Sequence, residues 1–177
     1  YLGIAIGNLI NILNPETIIE MEEGSYAEIE MVQIRGVNST VRTTKATVGA
    51  GAHLIIEERM LTHGDQVAET QMDIDIIGED GSAQVISRSV AQDKSRQIFY
   101  PRVKGKNRCK AHVQCDAIIM GQAQVRAIPE IDAQHSDAEL VHEAAIGKIA
   151  GEQIIKLMTL GLSEQEAEET ILQGFLK

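Results

Sequence analysis

Short runs of alternating apolar and polar residues recur along most of this chain, each entered through a glycine-marked turn. Gly24-Ser25 precedes Tyr26-Ala27-Glu28-Ile29-Glu30-Met31-Val32, and Gly51-Ala52 precedes His53-Leu54-Ile55-Ile56. Gly81-Ser82 precedes Ala83-Gln84-Val85-Ile86-Ser87-Arg88-Ser89-Val90, and Gly105-Lys106 and Gly121-Gln122 stand before two further runs. A period of two marks β-strands that send every second side chain into a core. Glycine at the corner takes backbone angles that other residues resist. The longer intervals are about 24 to 30 residues, one turn of a large β-solenoid. The pattern therefore predicts a parallel β-helix, with a sandwich as the competing all-β arrangement.

The period changes near the C-terminus. Gln153-Ile154-Ile155-Lys156-Leu157-Met158-Thr159-Leu160 carries apolar residues at helical spacing, and Gly161 follows where a C-terminal glycine belongs. Ser163-Glu164-Gln165-Glu166 is a capping box that opens a second helix, predicted from about Ser163 to Phe175. That helix sets Ala167, Ile171, Leu172 and Phe175 along one apolar stripe. The stripe either packs on the β-helix or docks a partner as a helix in a groove. The division predicted is a β-helix core over residues 1–142, its coils beginning near residue 15, and a helical segment over 143–177. An apolar run ending in His142-Glu143 joins the two. The opening YLGIAIGNLINIL lacks a basic leader and a cleavage site, so it reads as a buried strand. The absence of an initiator Met leaves room for an N-terminal region missing from the chain.

Composition suits a solenoid. Aromatics make up 3% of the residues and Trp is absent, which fits an interior of stacked aliphatic rows. Net charge is −10, yet residues 88–126 hold nine Lys or Arg against two acids. That stretch lacks interleaved aromatics for stacking on bases, so it reads as a solvated face or a match to an acidic partner, not as a nucleic-acid site. No apolar stretch is long enough to span a membrane. Cys109 and Cys115 do not make a disulfide framework and would stay reduced in a cytoplasm. Alternation puts them on one small apolar face with Ala111, Val113 and Ala117, while His112, Gln114 and Asp116 take the other. Nucleotide-binding and nucleophile-elbow motifs are missing. Asp73 and Asp75 share a strand face and raise the alternative of a β-helix enzyme acting on polysaccharide, and Ile76-Ile77-Gly78-Glu79-Asp80-Gly81 and Ile119-Met120-Gly121-Gln122-Ala123-Gln124 loosely resemble the hexapeptide repeats of β-helix acyltransferases, which adds acyl substrates to that alternative.

The arrangement HEA-x-x-GKI-x-x-EQ from His142, followed by L-x-x-x-GLSE-x-EA from Leu157, resembles the C-terminal end of the SufB/SufD family. His112-Val113-Gln114-Cys115-Asp116-Ala117-Ile118-Ile119 and Ala127-Ile128-Pro129-Glu130 extend the likeness upstream, and residues 95–177 carry it best. The resemblance implies a right-handed parallel β-helix with a helical C-terminal end. It implies a cytoplasmic, non-enzymatic scaffold of the SUF iron–sulfur cluster assembly machinery. Such subunits pair through their β-helix cores, as a homodimer or a SufB–SufD-like heterodimer, and bind a SufC-type ATPase through their C-terminal helices. The cluster is held transiently, and His142, Glu143 and Cys115 are the candidate ligands the resemblance points to. The alternative for His142 is that it caps the helix behind it. A cysteine that SufB proteins often carry after the glycine matching Gly121 is replaced here by Gln122-Ala123-Gln124-Val125, so the SufB and SufD parts both stay open.

Overall fold

Parallel pairing between strands one coil apart turns the alternation into a β-helix of about five turns. The computed structural model describes residues 12–34 and 37–177, so the opening apolar run lies outside the described residues except for its last two positions. One sheet contains β1 (Ile12–Leu13), β2 (Glu16–Met21), β4 (Ser39–Val48), β6 (Val67–Ile76), β8 (Arg96–Gly105), β10 (Gln124–Ala127) and β11 (Glu130–Ala133). The other contains β3 (Tyr26–Ile34), β5 (His53–Thr62), β7 (Gly81–Ala91), β9 (Cys109–Ile119) and β12 (Ala138–Gly147). The helices α1 (Gly151–Thr159) and α2 (Glu164–Phe175) follow.

The register explains the aliphatic composition. Tyr26 pairs with His53 and His53 with Ser82, steps of 27 and 29 residues. Each core position therefore stacks on its counterpart one coil away. Ile56, Val85, Val113 and His142 form one such row, and Ala46, Ile74 and Val103 form another in the opposite sheet. Fully burying an Ile or Val side chain stabilises by about 1.5–3 kcal/mol. Stacked Val, Ile and Ala fill such rows without a large ring to interrupt them.

The corners carry the backbone demand. Asp93 holds φ +59°, a left-handed angle like that of Gly64 one coil earlier, and its carboxylate accepts a hydrogen bond from the Gly64 N–H at 2.7 Å. Gly78 shows why a corner must be bare: a Cβ there would lie 2.0 Å from the Ala50 nitrogen.

The uneven charge resolves into pairs between coils. Arg102 meets Asp73 at 2.7 Å, Lys106 meets Asp75 at 2.7 Å and Arg108 meets Asp80 at 2.7 Å. The basic coil thus lies on the acidic one before it. Such exposed pairs contribute little stability each.

Proline marks the first sheet. Pro15 separates β1 from β2, Pro129 separates β10 from β11, and Pro101 in β8 lies opposite the gap between those last two. A proline cannot donate to the ladder, so it is tolerated where pairing lapses.

The helices dock on the second sheet. Ser163 and Glu166 form the predicted capping box, and Gly161 has φ +99° beyond the end of α1. Leu61 and Val90 stand side by side on the outer face of β5 and β7, next to Ile118 of β9. Leu172 of α2 packs on that column, with Met120, Ile149, Phe175 and Leu176 around it. No helix among the described residues is long and apolar enough to cross a membrane.

Candidate functional site

Strand β12 closes the described coils and carries the residues singled out in the sequence. It runs on to Gly147, so His142 lies in mid-strand and not at a strand end. The ladder with β9 continues through Ala144, Ala145 and Ile146, and it is this pairing that extends the strand past the expected boundary. His142 therefore does not cap a helix. It joins the inner row behind Val113, and its ring is half-buried. Its Nε2 is shut off from solvent and meets no hydrogen-bonding partner. Burial depresses the imidazole pKa below its ordinary range, against an opposing pull from the Glu143 carboxylate.

Glu143 faces the other way. Its Oε1 lies 3.1 Å from His112 Nε2 on the outer face of β9. Neighbours on a strand point to opposite sides, so the His142-Glu143 pair cannot present two ligands to one ion on one face. Sequence adjacency suggested a joint set, and strand alternation divides it.

Cys115 shares the inner face with His142. It pairs with Ala144, one step along β12 from the histidine's own row. The thiol is buried and its pKa is pushed up to about 12, first by burial and then by the Glu58 and Asp116 carboxylates. A thiolate is the ligand and the nucleophile, so Cys115 as it stands is a protonated, inert side chain. Cys109 is buried as well and its pKa is also raised by burial. Among the described residues no three His, Cys, Asp or Glu side chains converge on a common metal-sized site.

Alternation along β5 should also have revealed a buried charge, because Glu58 has the parity of Leu54, Ile56 and Met60. Its carboxylate is 2% exposed. Arg42 Nη1 donates to Glu58 Oε1 at 3.0 Å, Thr70 Oγ1 to the same oxygen at 2.7 Å, and Ser87 Oγ to Oε2 at 2.9 Å. Glu58, Ser87 and Cys115 form one row across β5, β7 and β9. The interior of the solenoid is thus polar beside the candidate thiol.

The proposed partner stripe on α2 faces inward. Ala167 and Leu172 are buried and Ile171 and Phe175 half-buried, with Leu172 and Phe175 packed at the column Leu61–Val90–Ile118. The apolar side chains left open lie on and just past α1: Ile155 is 62% exposed, Met158 43% and Leu160 74%. Asp73 and Asp75, considered as an enzyme's carboxylates, are each held in an ion pair.

The chain matches the model of a family described as SUF system FeS cluster assembly, SufBD core domain, over residues 8–175. It is 30% identical over 166 residues to an iron–sulfur cluster assembly SufBD family protein of Archaeoglobus fulgidus, covering 93% of this chain and 45% of that one. A SufBD family protein of Methanocaldococcus jannaschii is 27% identical over 167 residues, covering 93% and 53%. One from Methanothermobacter thermautotrophicus is 29% identical over 135 residues, covering 75% and 33%. The chain spans about half the length, or less, of these curated relatives.

Proposed function

This chain belongs to the SufBD core-domain family of the SUF iron–sulfur cluster assembly system, and on that premise we propose that it is a non-enzymatic scaffold subunit on which a nascent cluster is built and then released. The cluster is cargo, held transiently in a cytoplasmic setting. One observation supports this most: His142 Nε2, a good iron ligand by type, is buried and unpartnered at the last described coil. Thiolate supply from Cys115 requires that coil to open, because a thiol raised this far stays protonated inside.

Among the described residues no three ligand side chains converge on one site, so the reading pairs His142 with a second β-helix subunit, as a homodimer or a SufB–SufD-like heterodimer. Val141 and Ile146, both exposed on β12, supply apolar surface for that contact. A SufC-type ATPase would dock on α1, through Ile155, Met158 and Leu160, and not on the α2 stripe. Motion of α1 would then pull on β12 through the short link between Gly147 and Gly151.

Two variants test the reading. His142→Ala should lower the iron and sulfide recovered after anaerobic reconstitution while leaving the melting transition in place. Ile155→Asp with Met158→Asp should abolish co-purification of the ATPase and spare the fold. Undiminished cluster content in the first, or undiminished ATPase affinity in the second, overturns the corresponding half of the proposal.

A further inference from the structure

The methionines divide by burial. Met21, Met60 and Met72 are buried in the coils, Met31 packs on the interior rows, and Met158 is 43% exposed on α1. Met120 lies between these extremes. It is half-buried, and it packs on the cluster of Leu61, Val90 and Leu172 that holds α2 to the second sheet. Among the described residues it is the one methionine in that contact.

Two features set this side chain apart. The first is access. A groove of about 740 Å³ opens beside α2, and Met120 lines it with Ile34, Leu61, Gln92, Leu172 and Leu176. A small polar solute therefore reaches Met120 without the helix moving. The second is a donor already in place. Gln92 stands one coil before Met120, and its Nε2 donates to Met120 Sδ at 3.5 Å. A thioether is a weak acceptor, so this bond does little for the reduced side chain. A sulfoxide oxygen is a strong acceptor, and the same amide would hold it. An oxygen left among Leu61, Val90 and Leu172 would be a polar group buried without a partner. The oxidised side chain is thus drawn toward Gln92 and the groove, away from Leu172.

We propose that Met120 is a site of reversible oxidation by hydrogen peroxide, and that its sulfoxide releases α2 from the solenoid. A sulfur lone pair attacks one peroxide oxygen and the O–O bond breaks. The proton of the transferred hydroxyl passes to the departing oxygen, which leaves as water. Sulfur is oxidised by two electrons and peroxide is reduced by two. The product is a polar side chain where a flexible apolar one stood, a change that disrupts methionine contacts. Here the contact is the one that docks α2, so the helix is the two-state element that oxidation biases. The inference rests on the packing around α2 and is independent of any role in cluster assembly.

Peroxide treatment of the full chain tests both the site and its consequence. Peptide mass spectrometry should find sulfoxide at Met120 and at the exposed Met158, with Met21, Met60 and Met72 spared. Limited proteolysis should then cleave residues 163–177 about tenfold faster, since cleavage tracks the population of the open form. Incubation with methionine sulfoxide reductases and dithiothreitol should restore the original rate. Met120→Leu keeps the packing and removes the sulfur, so it should hold α2 in place through the same treatment. Met158→Leu should release α2 as the wild type does. Met120 left unoxidised when Met158 has fully reacted overturns the proposal. So does an unchanged cleavage rate once Met120 carries oxygen, or equal release in Met120→Leu. The wild-type measurements decide the matter alone if a variant fails to fold.

Discussion

Arg42 and Glu58 meet at 3.0 Å inside the solenoid, one reaching in from each sheet. The pair is the point at which the two walls of the β-helix are joined by charge and not by packing. A buried pair of this kind is poor evidence of net stability, because desolvation offsets most of the attraction. Its removal by halves is another matter.

Arg42→Met leaves the Glu58 carboxylate buried with two hydroxyl donors and no cation. Breaking such a pair costs about 3–5 kcal/mol, which urea unfolding should read as a large fall in midpoint. The double variant Arg42→Met with Glu58→Met should recover a substantial part of that loss, though the Thr70 and Ser87 hydroxyls lose their acceptor. Additive losses in the double variant would show that the two side chains act separately.

His142 should make stability depend on pH. The unfolded chain protonates this histidine near its ordinary value of about 6.5, while the folded ring, shut in by burial, resists until lower pH. Between those two values the unfolded state binds more protons. Stability is therefore full above about 6.5 and falls as the solution is acidified through the folded value. His142→Gln should flatten this limb of a plot of unfolding midpoint against pH. An unchanged slope would mean that the loss comes from other groups.

Cys115 should resist thiol reagents while the protein is folded. A thiol pushed up to about 12 has, near neutral pH, on the order of a thousandfold less thiolate than an ordinary cysteine with pKa about 8.5. Iodoacetamide followed by mass spectrometry should label it only after denaturation. Rapid labelling of the native protein would show that β12 opens readily from β9.

Leu172 holds α2 to the solenoid. Leu172→Ala should destabilise by about 2–5 kcal/mol, the usual cost of a leucine cavity. It should also raise the proteolytic sensitivity of residues 163–177 before that of the coils. A variant that melts normally would place the anchoring of α2 elsewhere in its contact with Val90 and Ile118.

The solenoid was legible because its two periods are written openly: alternation inside strands, and corners of glycine at intervals near the observed steps of 27 and 29 residues. The capping box at Ser163 and the burial of both cysteines were legible for the same reason, since each is a local rule. What escaped was the consequence of parity when it meets a polar residue. Glu58 and Arg42 each follow the inward phase of their strands, but a charge in an alternating run is naturally assigned to solvent. His142 was set at a strand end because the run beyond it, Glu143-Ala144-Ala145-Ile146, alternates weakly, and pairing with β9 holds it extended all the same. The α2 stripe was left open between two surfaces because the column Leu61–Val90–Ile118 exists only once three coils are stacked.

The placement of proline gives the solenoid a sidedness for growth. A foreign strand laid against β12 would find ten consecutive residues to zip onto. One laid against the other wall would find two runs of four, broken at Pro129. Templated extension, whether useful or pathological, is thus steered to a single lane, and the wall that carries the prolines is blunted against it.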